Sequence, residues 1–199
     1  MDYFDLTKIR ISTRKFTDEQ ITDDQLSAIL AAAERAPIGS SRYANLRLTV
    51  VQNKDVLHQL SEAARIRHTD LTEMAEIIAN VSNRDELLDA ARDFDPFYGA
   101  PTVIFVSHRK QDLEPGIEFA NVSCVANYMQ LAALNLGLGS CFMWYALDSM
   151  RRLPEYDHTE LLDLPEDFEP LLGLAVGYPP EPLSEREIDP ERIGINYIK

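Results

Sequence analysis

Residues 116–139, GIEFANVSCVANYMQLAALNLGLG, carry apolar side chains almost all the way round a 3.6-residue repeat. This pattern predicts a long helix buried in a sizeable core and stopped by Gly137 or Gly139. Asn121, Asn127 and Gln130 make it too polar for a membrane span. Upstream, PTVIFVS (101–107) is a short, continuous β-branched and aromatic run after Gly99-Ala100-Pro101, as expected of a strand covered on both faces. Downstream, LLGLAVG (171–177) predicts a last strand, closed by Tyr178-Pro179-Pro180.

The clearest helix start lies nearer the N-terminus, in ITDDQLSAILAAAERAP (21–37). Thr22 and Gln25 stand at capping-box spacing, and Ile21 and Leu26 are placed for a hydrophobic staple. Leu26, Ile29, Leu30 and Ala33 mark the buried face, and Pro37 ends the helix near Ala36. LRLTVVQ (46–52) then alternates as a strand does. Helical patterns follow at Leu57, Leu60, Ser61 and Ala64, at Leu71, Met74, Ala75 and Ile78, and after Ser82 as an N-cap. The last twenty residues carry charge and little periodicity, which suggests a tail wrapping over something else. With no internal repeat and no low-complexity linker, residues 1–199 read as one domain.

The formal net charge of −14 disfavours nucleic acid and anionic membranes as partners. Two windows run against it. Residues 35–54 hold Arg35, Arg42, Arg47 and Lys54 without an Asp or Glu, and residues 1–15 hold four cations against two carboxylates. A small anionic ligand would find its counter-charges there. The two cysteines, Cys124 and Cys141, are too few for a disulfide scaffold. There is no signal-peptide pattern and no apolar run near the ~20 residues of a membrane span, so a cytoplasmic protein is expected.

In RISTRKF (10–16), Arg10, Ser12 and Arg14 occupy alternate positions, and an extended backbone projects them from one side. Two guanidiniums and a hydroxyl suit a phosphate; the other reading is a solvated basic edge strand. The loop PIGSSRY (37–43) offers backbone N–H groups through Gly39 and hydroxyls from Ser40 and Ser41, unless it is an ordinary helix-to-strand connection. GLGSC (137–141) lacks the third glycine of a dinucleotide fingerprint and follows a helix, which disfavours a Rossmann site. His58, His68, His108 and His158 are scattered, read as surface residues, and suggest no metal site. Cys124 reads as a small core residue, and no serine sits in G-x-S-x-G.

Taken in order along the chain, RISTRKF, the Ala-Pro loop, YGAPTVIFVS, LAALNLGLGSCFMW and LLDLPEDFEPLLGLAVGYPPEPL resemble the FMN-dependent nitroreductase family. The resemblance implies an α+β fold, a mixed sheet packed by helices, and a homodimer with FMN at the subunit interface. It implies that Arg10, Ile11, Ser12 and Arg14 hold the phosphate and ribityl chain. Pro37, Ile38, Gly39, Ser40, Ser41 and Arg42 would come from the other subunit to line the flavin. Trp144 and Tyr145 would lie near the ring, and Arg192, with Arg186 behind it, would complete the phosphate site.

The implied activity is hydride transfer from NADH or NADPH through FMN to nitroaromatic, quinone or similar electron-poor acceptors, with no acid or base residue. Many family members read Gly-Asn-x-Gln-Pro-Trp where this chain has SSRYANL (40–46), and the bulky FMWYA (142–146) replaces a commonly Gly-rich stretch. These departures leave two other readings: different flavin chemistry on the same scaffold, such as reductive dehalogenation or flavin destruction, and a non-catalytic flavin-binding protein.

Overall fold

The structure is a computed structural model that describes residues 2–79, 84–185, 187–188 and 192–198; at 72–79, 84, 87 and 88 the backbone alone is described. In chain order the elements are α1 (Tyr3–Ile9), α2 (Asp23–Ala33), β1 (Leu46–Val51), α3 (Lys54–Leu60), α4 (Glu62–Ala79), α5 (Arg84–Arg92), β2 (Thr102–Arg109), α6 (Ile117–Asn135), β3 (Gly139–Met143), α7 (Tyr145–Arg152) and β4 (Phe168–Gly177). Ser82 lies outside the described residues, as do the side chains of Met74, Ala75 and Ile78.

Among the described residues four strands form one sheet, in the order β1-β2-β4-β3. The resemblance implied a mixed sheet, whereas every pairing among these strands is antiparallel. The connection from β1 to β2 leaves and re-enters at the same end of the sheet, as does that from β3 to β4. Only the stretch containing α6 crosses from end to end, and it delivers β3 to the far side of β4, so no parallel neighbours meet. Pro170 of β4 pairs at the register break beside Ser107, where the ladder is already irregular and a missing N–H is tolerated.

Strand β2 is continuously apolar because it is covered on both faces. Ile104 and Val106 pack with Leu174 and Val176 beneath α2 and α6. Val103 and Phe105 pack on the opposite face with Cys141, Met143 and Ala175, against residues of α3, α4 and α7. Successive side chains thus feed two separate cores, as the two-residue period of a strand requires. The capping box of α2 is present, with Thr22 Oγ1 accepting from Gln25 N–H at 3.2 Å and Gln25 Oε1 accepting from Thr22 N–H at 2.9 Å.

Helix α6 departs from its expected burial. Val122, Val125, Ala126, Met129 and Ala133 face the core, but Phe119 and Tyr128 remain 41% and 39% exposed. The sheet and α2 cover only one arc of the helix, so its remaining apolar side chains face outward. Gly137, at φ +77°, turns the chain out of α6, and residues 139–143 then form β3 rather than a bare helix stop. Five residues are too few to display a period, so this strand appears only through its pairing with β4, from Gly139↔Gly177 to Met143↔Gly173.

His108, expected at the surface, is 1% exposed. It points from the end of β2 toward α6, where a polar neighbour on the helix receives it. The segment beyond β4 has no regular element among its described residues, and it exposes Ile193, Ile195 and Tyr197.

Candidate functional site

Residues 10–16 run extended along the outer edge of β3, where Thr13 N–H donates to Ser140 O at 2.9 Å. Thr13 is buried and its side chain lies against Gly139 of β3. Ser12 and Arg10 are half-buried and Arg14 is exposed. All three act on one buried group, the Cys141 thiol. Burial pushes that thiol above its ordinary range, against the opposing pull of the Arg14 guanidinium, the Ser12 hydroxyl and the Arg10 guanidinium. It therefore stays neutral near pH 7 and adds no negative charge beside the two guanidiniums. Residues 6–17 contain no Asp or Glu.

Gly139 is required where the two segments meet. A Cβ there would lie 2.6 Å from Thr13 Oγ1 and 2.7 Å from Thr13 Cγ2. Thr13 is β-branched and its amide is tied to Ser140, so it has little room to yield. Gly139→Ala is expected to lower stability by about 1–3 kcal/mol, read as a shift in the urea midpoint. Retention of full stability would show that the segment at 10–16 is not held closely against β3.

The loop at 37–42 occupies the opposite sheet edge. It enters β1 at Leu46, and β1 and β3 are the two outer strands. Ile38 is buried, Pro37, Ser40, Ser41 and Arg42 are exposed, and Ser40 and Ser41 adopt φ values of 55° and 53°. Few non-glycine residues adopt this left-handed conformation unless surrounding contacts impose it. Two contacts do so here: Gly39 N–H donates to Asn121 Oδ1 at 2.9 Å, and Tyr43 Oη donates to Ala36 O at 3.1 Å. Arg42 adds an exposed ion pair with Glu114 at 3.9 Å, of little energetic weight.

Trp144 and Tyr145 link β3 to α7. Trp144 is 48% exposed, whereas the Tyr145 ring turns inward, edge-on to His68 and Phe94 at centroid distances of 6.2 and 5.8 Å. The Arg67 guanidinium covers the Tyr145 ring at 5.2 Å and pairs with Asp148. Burial pushes the Tyr145 hydroxyl upward, so it stays protonated. Arg192 is exposed in the segment after β4, and the guanidiniums acting on Cys141 are those of Arg14 and Arg10. Arg186 lies outside the described residues.

The structure thus gathers Arg10, Ser12 and Arg14 at one sheet edge and Pro37 to Arg42 at the other. Three strand spacings, about 14 Å, separate the edges. Sequence reading missed Cys141 as the focus of the cationic group and Asn121 as the anchor of the loop. Asn121 carried a usable signal, because it shares the buried α6 stripe with Val125, Met129 and Ala133 at four-residue steps.

The model of the nitroreductase family matches residues 8–178. An NADPH-dependent oxidoreductase of Staphylococcus haemolyticus is 25% identical over 182 residues, covering 89% of this chain and 65% of its own length. An FMN reductase [NAD(P)H] of Bacillus subtilis is 28% identical over 174 residues, covering 84% and 62%. The chain therefore spans slightly less than two thirds of the length of these curated relatives. A nitroreductase with bound FMN from Bacteroides fragilis superposes with a TM-score of 0.72 at 25% identity, covering 98% of both chains. A BluB-like flavoprotein from Clostridium difficile shares the fold at 18% identity and a TM-score of 0.73, over 100% of both chains.

Proposed function

The chain belongs to the nitroreductase family, and from that premise we propose that it is an FMN-dependent oxidoreductase. It takes hydride from NADH or NADPH and delivers electrons to a nitroaromatic, quinone or similar electron-poor acceptor. The observation that carries this reading is the cationic segment 10–14 held against β3, where the charges of Arg14 and Arg10 and the Ser12 hydroxyl all reach the Cys141 thiol. Two guanidiniums and a hydroxyl, with no carboxylate in residues 6–17, are a donor set fitted to a phosphomonoester such as that of FMN. FMN, when bound, supplies a ring that accepts hydride from one substrate and passes electrons to the next. The chain supplies position and charge: Arg10, Ile11, Ser12 and Arg14 take the phosphate and ribityl end, and the backbone around Trp144 and Tyr145 borders the ring.

The active unit is a homodimer with FMN at the interface. Loop Pro37–Arg42 and the cationic segment stand at opposite edges of one sheet, so a second copy is needed to bring the loop of one chain to the segment of the other. The outward face of α6 with Phe119 and Tyr128, and the exposed Ile193, Ile195 and Tyr197, supply apolar area for that contact. Residues 1–199 form one FMN-binding domain, with Arg192 as the late phosphate ligand. It places the protein in the cytoplasm; among the described residues no helix is long and apolar enough to cross a membrane.

The exposed Trp144 beside Phe142 favours a second reading, in which a narrowed pocket supports reductive dehalogenation or breakdown of the flavin itself. A visible spectrum of the purified protein, followed under anaerobic NADH and NADPH, tests the first reading. Flavin bands that bleach with either donor are expected. Flavin that binds without bleaching would mean a non-catalytic carrier. Release of halide, or loss of FMN under oxygen, would favour the second reading.

A further inference from the structure

We infer that Asn121 and an uncharged His108 are positioning residues for the loop 38–42, so that occupation of the flavin site depends on the protonation of His108; the part concerning flavin rests on the function proposed above. The hydrogen-bond chain runs between two backbone groups whose roles cannot change. Gly39 N–H only donates, and Asn121 Oδ1 accepts it at 2.9 Å. The other end of the Asn121 amide is then Nδ2–H, which donates to His108 Nε2 at 3.2 Å. At the far side of the ring, Nδ1 lies 2.7 Å from Arg109 O, which only accepts. All contacts are satisfied by one state: a neutral imidazole with its proton on Nδ1.

Protonating Nε2 sets a donor against the Asn121 amino group. Rotating the Asn121 amide relieves that clash and turns Nδ2 onto Gly39 N–H, again donor against donor. The relay is almost wholly buried, with Asn121 4% and His108 1% exposed, so solvent offers little replacement for a lost bond. The charged groups around the ring are Glu118, which interacts with it electrostatically, Glu114 and Arg42 bordering the crevice that His108 also lines, Arg109 next in sequence, and Glu169 directly across on β4. Of these, Glu118 is held by Gln111 Nε2 at 2.6 Å and by Gly116 N–H at 3.1 Å. Because Ser40 and Ser41 hold left-handed φ values, losing the Gly39 anchor frees the loop to relax away from the geometry that reaches a partner's flavin.

The test compares wild type, Asn121→Asp and His108→Gln between about pH 5 and 8, the interval in which histidine commonly changes charge. Two readouts are taken: FMN affinity by fluorescence titration, and amide exchange of Gly39 in the FMN-free protein, corrected for its intrinsic pH dependence. In wild type, protection of Gly39 and FMN affinity are each expected to fall about tenfold as the pH drops, the scale of one buried hydrogen bond. A carboxylate at 121 accepts from both Gly39 N–H and a protonated ring, so Asn121→Asp should reverse the trend. His108→Gln, with nothing to titrate, should flatten it. Identical profiles in wild type and His108→Gln would overturn the inference, even if the aspartate variant failed to fold. If FMN binds to none of the proteins, the flavin reading fails, while Gly39 exchange still decides the relay.

Discussion

Replacing Arg10 and Arg14 together with alanine is expected to weaken FMN binding by at least about a hundredfold. Each charge-assisted contact is worth ~1.5–3 kcal/mol, and about 1.4 kcal/mol is a factor of ten in affinity. The two side chains address the same group, so their contributions will not simply add. Fluorescence titration of FMN into the apo-protein measures the effect, and its salt dependence identifies the cause. The wild-type affinity should fall as salt screens the guanidiniums, and that of the double variant should respond less. Because Arg14 is exposed and Arg10 only half-buried, the thermal midpoint of the apo-protein should change little. An unchanged FMN affinity would remove the pair from the phosphate site. The Cys141 thiol offers an internal check: without the two guanidiniums, burial acts less opposed and its titration should move higher still.

Asp148→Ala is expected to cost about 3 kcal/mol of folding stability. Asp148 is 7% exposed and its Oδ2 receives both Arg67 and, at 2.8 Å, Arg152 Nε. Without it, Arg67, whose side chain is 22% exposed, keeps the Tyr145 ring but loses its counter-charge between α4 and α7. Arg152 is 60% exposed, so Arg152→Ala should cost less than about 1 kcal/mol and serves as the control. The measurement is the urea midpoint, with an unchanged slope showing that the same surface unfolds. Burial alone would raise the Asp148 carboxyl, but hydrogen bonds from Arg152 and Arg67 outweigh it and hold the group below the ordinary aspartate value. A depressed folded value makes the contribution complete above the ordinary aspartate range and lost as pH falls below it. The stability gap between wild type and Asp148→Ala should therefore close on acidification; a gap constant into acid would rule out the charge as its source.

The legible parts of the fold were those written in neighbouring residues. Thr22 and Gln25 meet across three positions, and the cap they form is present in α2. The run at 101–107 is apolar at every step because both faces of β2 are covered, a condition visible without knowing what covers them. The cationic windows were also legible, since charge counts need no coordinates. Less was available for β3, whose five residues carry no period, and for α6, whose all-round apolarity states that its faces avoid water but not which are covered by this chain.

The sequence by itself determined the α+β class, the principal strands and helices, and which stretches carry an excess of cations, because these follow from local propensity, periodicity and charge. Tertiary structure alone decided that the charges of Arg14 and Arg10 and the Ser12 hydroxyl act on Cys141, that Gly139 must leave room for Thr13, and that Asn121 joins His108 to Gly39. Gly39 and Asn121 are 82 positions apart in the chain. A buried polar side chain is satisfied only by the particular donor or acceptor that folding brings to it, and no spacing along the sequence specifies which one that is.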